Sequence, residues 1–139
     1  MPARDSYHDL VVRALEEDGW AITADPLRLT YGQRDFYVDL AAENTTIAAD
    51  RGDRKIAVEI KSLGDRSPMR AFEQAIGQFV VYRMILQEHE PERRLYLAIP
   101  EAMYQSLLTD GLGELAARHL GLCLFTFDLS TERIVQWID

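Results

Sequence analysis

Apolar residues recur at three- and four-residue spacing through Tyr7, Leu10, Val11, Ala14 and Leu15, the pattern of an amphipathic helix. Asp5 or Ser6 can cap it, and Gly19 can stop it. Beyond Gly19 the period changes. Trp20-Ala21-Ile22-Thr23 and Leu27-Arg28-Leu29-Thr30 read as short strands separated by Asp25-Pro26, with Gly32 closing the second. Phe36, Val38 and Leu40 then alternate with Tyr37, Asp39 and Ala41, which predicts one half-buried strand. Another short strand, Thr46 to Ala49, is joined by the turn Asp50-Arg51-Gly52-Asp53 to a strand through Ile56 to Ser62.

After Gly64 and Ser67-Pro68 the helical period returns from Met69 to Gln87, with Met69, Phe72, Ile76, Phe79, Val80 and Leu86 as the buried stripe. Leu95 to Ile99 is an apolar strand. Pro100 starts a helical region that breaks near Asp110-Gly111-Leu112-Gly113 and ends at Gly121. Two strands, Leu122 to Asp128 and Arg133 to Trp137, finish the chain across a polar turn. Consecutive strands form antiparallel hairpins, whereas a strand reached through a helix tends to be parallel. The order therefore predicts an α/β fold: a mixed β-sheet flanked by helices, in one domain over residues 1–139.

The strand Ile56-Ala57-Val58-Glu59-Ile60-Lys61-Ser62 carries charge where a core strand would not. Alternation puts Ile56, Val58 and Ile60 on one face and Ala57, Glu59 and Lys61 on the other. That second face is either a salt-bridged edge or a site. Asp39 holds the matching position on an earlier strand, so its carboxylate and that of Glu59 can converge. A hard divalent ion needs only one or two such carboxylates, with water and substrate phosphate filling the rest. The Ile60 carbonyl is a further oxygen, and Lys61 can orient water or neutralise a phosphate.

Gln74, Gln78 and Tyr82 fall in one row beside the stripe of the long helix, where they can flank the site or form a polar helix edge satisfied by water, the latter suiting Gln74 better than Gln78. His8 borders the first helix's apolar stripe; a histidine bonded to backbone is the favoured reading over a ligand or proton acceptor. His89 and His119 read as surface residues near helix ends, and Cys123 as a small core residue.

Charge limits the partners. With 15 Lys and Arg against 23 Asp and Glu, the net charge is −8, so any grip on nucleic acid must be local or shared. Positive residues gather around the Glu59 strand: Arg51, Arg54 and Lys55 before it, Lys61, Arg66 and Arg70 at its end and after it. They form a phosphate-facing rim or a solvated loop. No run is long and apolar enough for a membrane span, and the opening residues do not resemble a secretory signal, so a cytoplasmic protein is expected.

Asp39, Glu59 and Lys61, set in this order of elements, resemble the metal and phosphate residues of the PD-(D/E)XK nuclease superfamily. More narrowly, the chain resembles the XisH family, named for control of fdxN element excision in cyanobacteria. The likeness runs through Ala3-Arg4-Asp5, His8, Asp18-Gly19-Trp20, Asp25-Pro26-Leu27, Arg34-Asp35, Val38-Asp39-Leu40, Ile56 to Ser62, Gly77-Gln78-Phe79, Tyr82, Leu95-Tyr96-Leu97-Ala98 and Ile134 to Ile138. It implies a restriction-endonuclease-like fold and Mg²⁺- or Mn²⁺-dependent cleavage of DNA. Asp39 and Glu59, with the Ile60 carbonyl, would be the ligands, Lys61 the phosphate residue and Gln78 an auxiliary contact. It also implies a small XisI-like partner. The superfamily's Pro-Asp leader is absent, Val38 preceding Asp39, which keeps Asp35 and Glu43 as rivals. A non-catalytic regulator of the same fold and the effector of a two-gene toxin-type pair are the competing readings. A homodimer through an apolar edge strand is compatible with either class.

Overall fold

The computed structural model describes residues 7–44, 54–64 and 66–139. The expected cap at Asp5 or Ser6, the strand Thr46 to Ala49, the turn Asp50 to Asp53 and Arg51 within it lie outside them. The described elements run α1 (His8–Glu17), β1 (Ala21–Ala24), β2 (Leu27–Tyr31), β3 (Arg34–Val38), β4 (Leu40–Asn44), β5 (Arg54–Ile60) and α2 (Pro68–His89). They continue through β6 (Arg93–Pro100), α3 (Glu101–Leu107), α4 (Leu112–Leu120), β7 (Leu124–Asp128) and β8 (Arg133–Ile138).

Six strands form a mixed sheet in the order β1-β4-β5-β6-β7-β8, and β2 with β3 makes a separate two-stranded hairpin. The β5–β6 and β6–β7 pairs, each joined through helices, are parallel, while β1–β4, β4–β5 and β7–β8 are antiparallel. The expected mixed α/β architecture is therefore present. Ser67 starts α2 by accepting the Arg70 N–H at 3.2 Å on its Oγ, with Pro68 just inside the helix. Gly121 ends α4 at φ +62°, a left-handed cap that favours glycine.

Both faces of the sheet are buried. On one, Ala57, Leu95, Leu97, Ile99 and Leu124 pack with Phe72, Ala75 and Phe79 of α2, with Leu108 and Ala116, and with Leu29 and Val38 of the hairpin. On the other, Leu40, Ile56, Val58, Ile60, Tyr96, Phe125 and Phe127 pack with Val11 and Leu15 of α1. The side of β5 carrying Ala57 and Glu59, read from the sequence as outward, is thus covered by α2. Central strands bordered by parallel crossovers are enclosed on both faces, which simple alternation does not reveal.

Three further expectations change. Met69, expected in the α2 stripe, is 40% exposed, and Ala75 and Ile85 are buried instead. Cys123 is half-buried and lines a cleft of about 680 Å³ with Arg83, Arg94 and Asp139. Arg54 and Lys55 belong to no rim around Lys61, because they start β5 while Lys61 follows its end, roughly 20 Å away at strand rise. Lys55 pairs with Glu92 at 4.0 Å. Arg54 meets Asp139 at 3.7 Å and lies 5.8–5.9 Å from the ring centres of Trp20, Tyr96 and Trp137.

Candidate functional site

The strand expected through residues 36–41 is two strands that meet at Asp39. Up to Val38 the chain pairs with β2; from Leu40 it pairs with β5, Leu40 opposite Val58. Asp39 occupies the bend between the two sheets. Continuing the β4–β5 register by one residue places it opposite Glu59. The two backbones and carboxylates then interlock: the Asp39 N–H donates to Glu59 Oε1 at 3.2 Å, and the Ile60 N–H donates to Asp39 Oδ2 at 2.8 Å. Leaving the hairpin frees the Asp39 amide from a ladder partner and gives it to the carboxylate.

Glu59 is 6% exposed. Its second oxygen lies 3.3 Å from Lys61 Nζ. Burial, and then the nearby negative charge of Asp39, push its carboxyl up from 4.5 to about 7, with Lys61 opposing the rise. Lys61 is fixed by its backbone N–H, which donates to the Ala98 carbonyl at 2.9 Å. Its side chain is one quarter exposed and so reaches solvent.

Lys61 opens into a cleft of about 510 Å³ that it lines with Ser62, Leu63, Gly64 and, from α2, Ala71, Gln74, Ala75 and Gln78. The structure brings Lys61 and Gln78 to the same cleft. Gln74, assigned to a polar helix edge, lines it too. The carboxylates are not among the lining residues, and Lys61 links them to the cleft. Tyr82, one turn beyond Gln78, is the neighbour that periodicity undersold. Its hydroxyl pKa is raised by burial and then by the charges of Glu59 and Asp39, so it stands near both carboxylates. Its ring meets Phe36 edge-on at 6.3 Å.

The rivals of Asp39 are committed elsewhere. Asp35 takes Arg28 at 3.1 Å and Thr30 at 3.2 Å in the hairpin, and Glu43 meets Arg93 at 3.6 Å. His8 is not the backbone-bonded border residue expected. It is 3% exposed, and its Nε2 lies 2.8 Å from Asp25 Oδ1, while its Nδ1 has no hydrogen-bond partner among the described residues. A contact spanning seventeen residues leaves no periodic trace. His89 and His119 are exposed near helix ends, as expected.

Asp39, Glu59 and the Ile60 carbonyl are the oxygen groups here that could hold a hard ion such as Mg²⁺ or Mn²⁺. Among the described residues no group of three or more His, Cys, Asp or Glu gathers for a metal. Any ion held here would rest on two carboxylates and keep water or substrate oxygens in its remaining positions.

The XisH protein family model matches residues 1–135. The chain belongs to the XisH family. Two solved structures agree. An XisH family protein from Nostoc punctiforme is 39% identical with a TM-score of 0.84, the match covering 97% of this chain and 100% of that one. A fdxN element excision controlling factor protein from Anabaena variabilis is 37% identical with a TM-score of 0.83, covering 98% and 100%. A comparison with curated proteins finds no match. In this XisH chain, no helix among the described residues is long and apolar enough to cross a membrane.

Proposed function

We propose that this XisH protein is a metal-dependent, PD-(D/E)XK-type DNA endonuclease that acts in controlled excision of a DNA element. The observation that carries the reading is the interlock of Asp39 with Glu59 and Lys61, a half-buried and a buried carboxylate beside a solvent-reaching lysine. Like charges crowded at low exposure are relieved by a cation. The excision-control name of the Anabaena variabilis relative supplies the process.

Asp39, Glu59 and the Ile60 carbonyl would hold Mg²⁺ or Mn²⁺, which supplies Lewis-acid polarisation of the scissile phosphate and a lower pKa for the attacking water. Lys61 would neutralise charge developing on the phosphate and orient that water, and Gln78 would contact the strand across the cleft. Tyr82 would keep the inner wall apolar with a hydroxyl toward the carboxylates.

The net charge of −8 favours a second reading: a non-catalytic regulator of the same fold, acting on DNA only in complex with an XisI-like protein. Supercoiled plasmid incubated with the chain and Mg²⁺ or Mn²⁺ separates the two. Nicking or linearisation that disappears in both Glu59→Ala and Lys61→Ala supports the enzyme. The regulator stands if the plasmid stays intact, with and without an XisI-like partner, and calorimetry finds no metal binding.

A further inference from the structure

The long helix carries a face that its own chain does not use. Arg70, Gln74, Gly77, Val81, Met84 and Glu88 recur at alternating four- and three-residue steps along α2, and all six are exposed. That spacing is the one along which a helix can pair with another helix, with Val81 and Met84 as its apolar members. Val81 is 37% and Met84 54% exposed, and beside them Tyr31 of the hairpin is 55% exposed. Between hairpin and helix lies a groove of about 560 Å³ whose walls are mostly apolar.

Gly77 sits mid-helix, where glycine costs about 1 kcal/mol relative to alanine. A Cβ built there meets nothing within 4 Å, so packing within one chain does not account for the residue. A second helix crossing at that point does, because the missing side chain lets two axes approach.

We infer that this face is one half of a two-fold homodimer, in which α2 of one copy lies antiparallel across α2 of a second, centred at the level of Phe79. The stripe is complementary to itself about that centre. Arg70 of one copy comes opposite Glu88 of the other, Gln74 opposite Met84, and Gly77 opposite Val81. Opposite charges meet at both ends, and the smallest residue faces a branched one at the crossing. Among the described residues neither Arg70 nor Glu88 takes part in an ion pair, so both can pair across the interface. An isologous contact requires this symmetry.

The stripe spans about 27 Å of helix, and the hairpin groove widens it to receive side chains from the first half of the other α2. A nucleic acid suits this face poorly, since Glu73 and Glu88 balance Arg70 and the groove's Arg34 and leave no net positive charge there. The inference rests on the stripe alone and is independent of the hydrolytic reading. Gln74 borders both the stripe and the Lys61 cleft, so the clefts of the two copies open beside the shared axis.

Sedimentation velocity of the full chain tests the proposal, with a species of twice the 15.9 kDa chain mass expected. Arg70→Glu and Glu88→Arg should each raise the dissociation constant about ten-fold, since each change acts twice in a symmetric pair. The double variant should return to within about three-fold of the parent, because the swapped charges pair again. Oxidation of Gln74→Cys/Met84→Cys/Cys123→Ser should give a covalent dimer. The two introduced thiols of one chain are about 15 Å apart along the helix, too far to bridge each other. All these positions but 123 are surface residues, and circular dichroism would report that the variants fold. A monomer at every concentration up to about 100 µM overturns the proposal. So does a dimer that ignores both charge changes and does not cross-link.

Discussion

Asp39 and Glu59 hold each other through each other's strands: the Asp39 amide donates to the Glu59 carboxylate, and the Asp39 carboxylate accepts from Ile60, the residue after Glu59. The bend where the chain changes sheets and the end of β5 are thereby tied at two points. Removing either carboxylate leaves a backbone N–H in a half-buried site without its acceptor.

The pH dependence of stability follows from Glu59. Its folded carboxyl titrates at about 7 against an ordinary 4.5, chiefly because of burial and then Asp39. Between those values the native state holds a proton that the unfolded chain has released, so this group lowers stability as pH rises from about 4.5 to about 7 and has no further effect above that. Glu59→Gln removes the contribution. Urea midpoints measured from pH 4 to pH 8 should converge for parent and variant near pH 4.5, with the variant gaining on the parent toward neutrality. Parallel curves would contradict the assignment.

Arg93 is 9% exposed and binds the Ile56 carbonyl at 3.0 Å, Glu90 at 3.2 Å and Glu43 at 3.6 Å. Arg93→Met strands a buried carbonyl and two carboxylates at once. A loss of about 3 kcal/mol is expected in chemical denaturation, much more than the near-zero change at exposed Arg28, whose pairing with Asp35 lies in solvent.

His8→Gln weakens the clasp between α1 and the β1–β2 turn, and the unfolding free energy from urea denaturation should fall by about 1–2 kcal/mol. Calorimetric metal affinity should stay within about two-fold, because the carboxyl of Glu59 responds to Asp39 and Lys61, with His8 not among its neighbours. A large drop in affinity would restore His8 to the site.

On the hydrolytic reading, Gln78→Ala should slow plasmid nicking by about ten-fold with no change in melting temperature, since the residue is exposed on the cleft wall. Equal rates would leave Lys61 as the cleft's only contributor to cleavage.

The long helix and the β5 and β6 strands were legible because their apolar periods are long and bounded by Ser67-Pro68, Gly64 and Pro91. Glu59 and Lys61 stood out because charge is rare in such a strand. The sheet change at Asp39 was not legible, for a definite reason. Phe36, Val38 and Leu40 keep perfect alternation, yet Val38 packs on the α2 side and Leu40 on the α1 side. The bend turns the chain over without disturbing the pattern of letters. Arg54 was misread for the opposite reason: its charge suggested solvent, while its guanidinium is held among rings and its neighbours Tyr96 and Asp139.

Those rings have a spectroscopic consequence. The chain has two tryptophans, and Trp20 and Trp137 lie 5.7 Å apart in one cluster with Tyr96, Phe125 and Arg54. Intrinsic fluorescence therefore comes from a single locus, on the α1 side of the sheet, across from the carboxylates. It will follow global melting of every variant at the Lys61 cleft while the substitution itself leaves the indoles' surroundings intact, which makes the emission a built-in stability gauge.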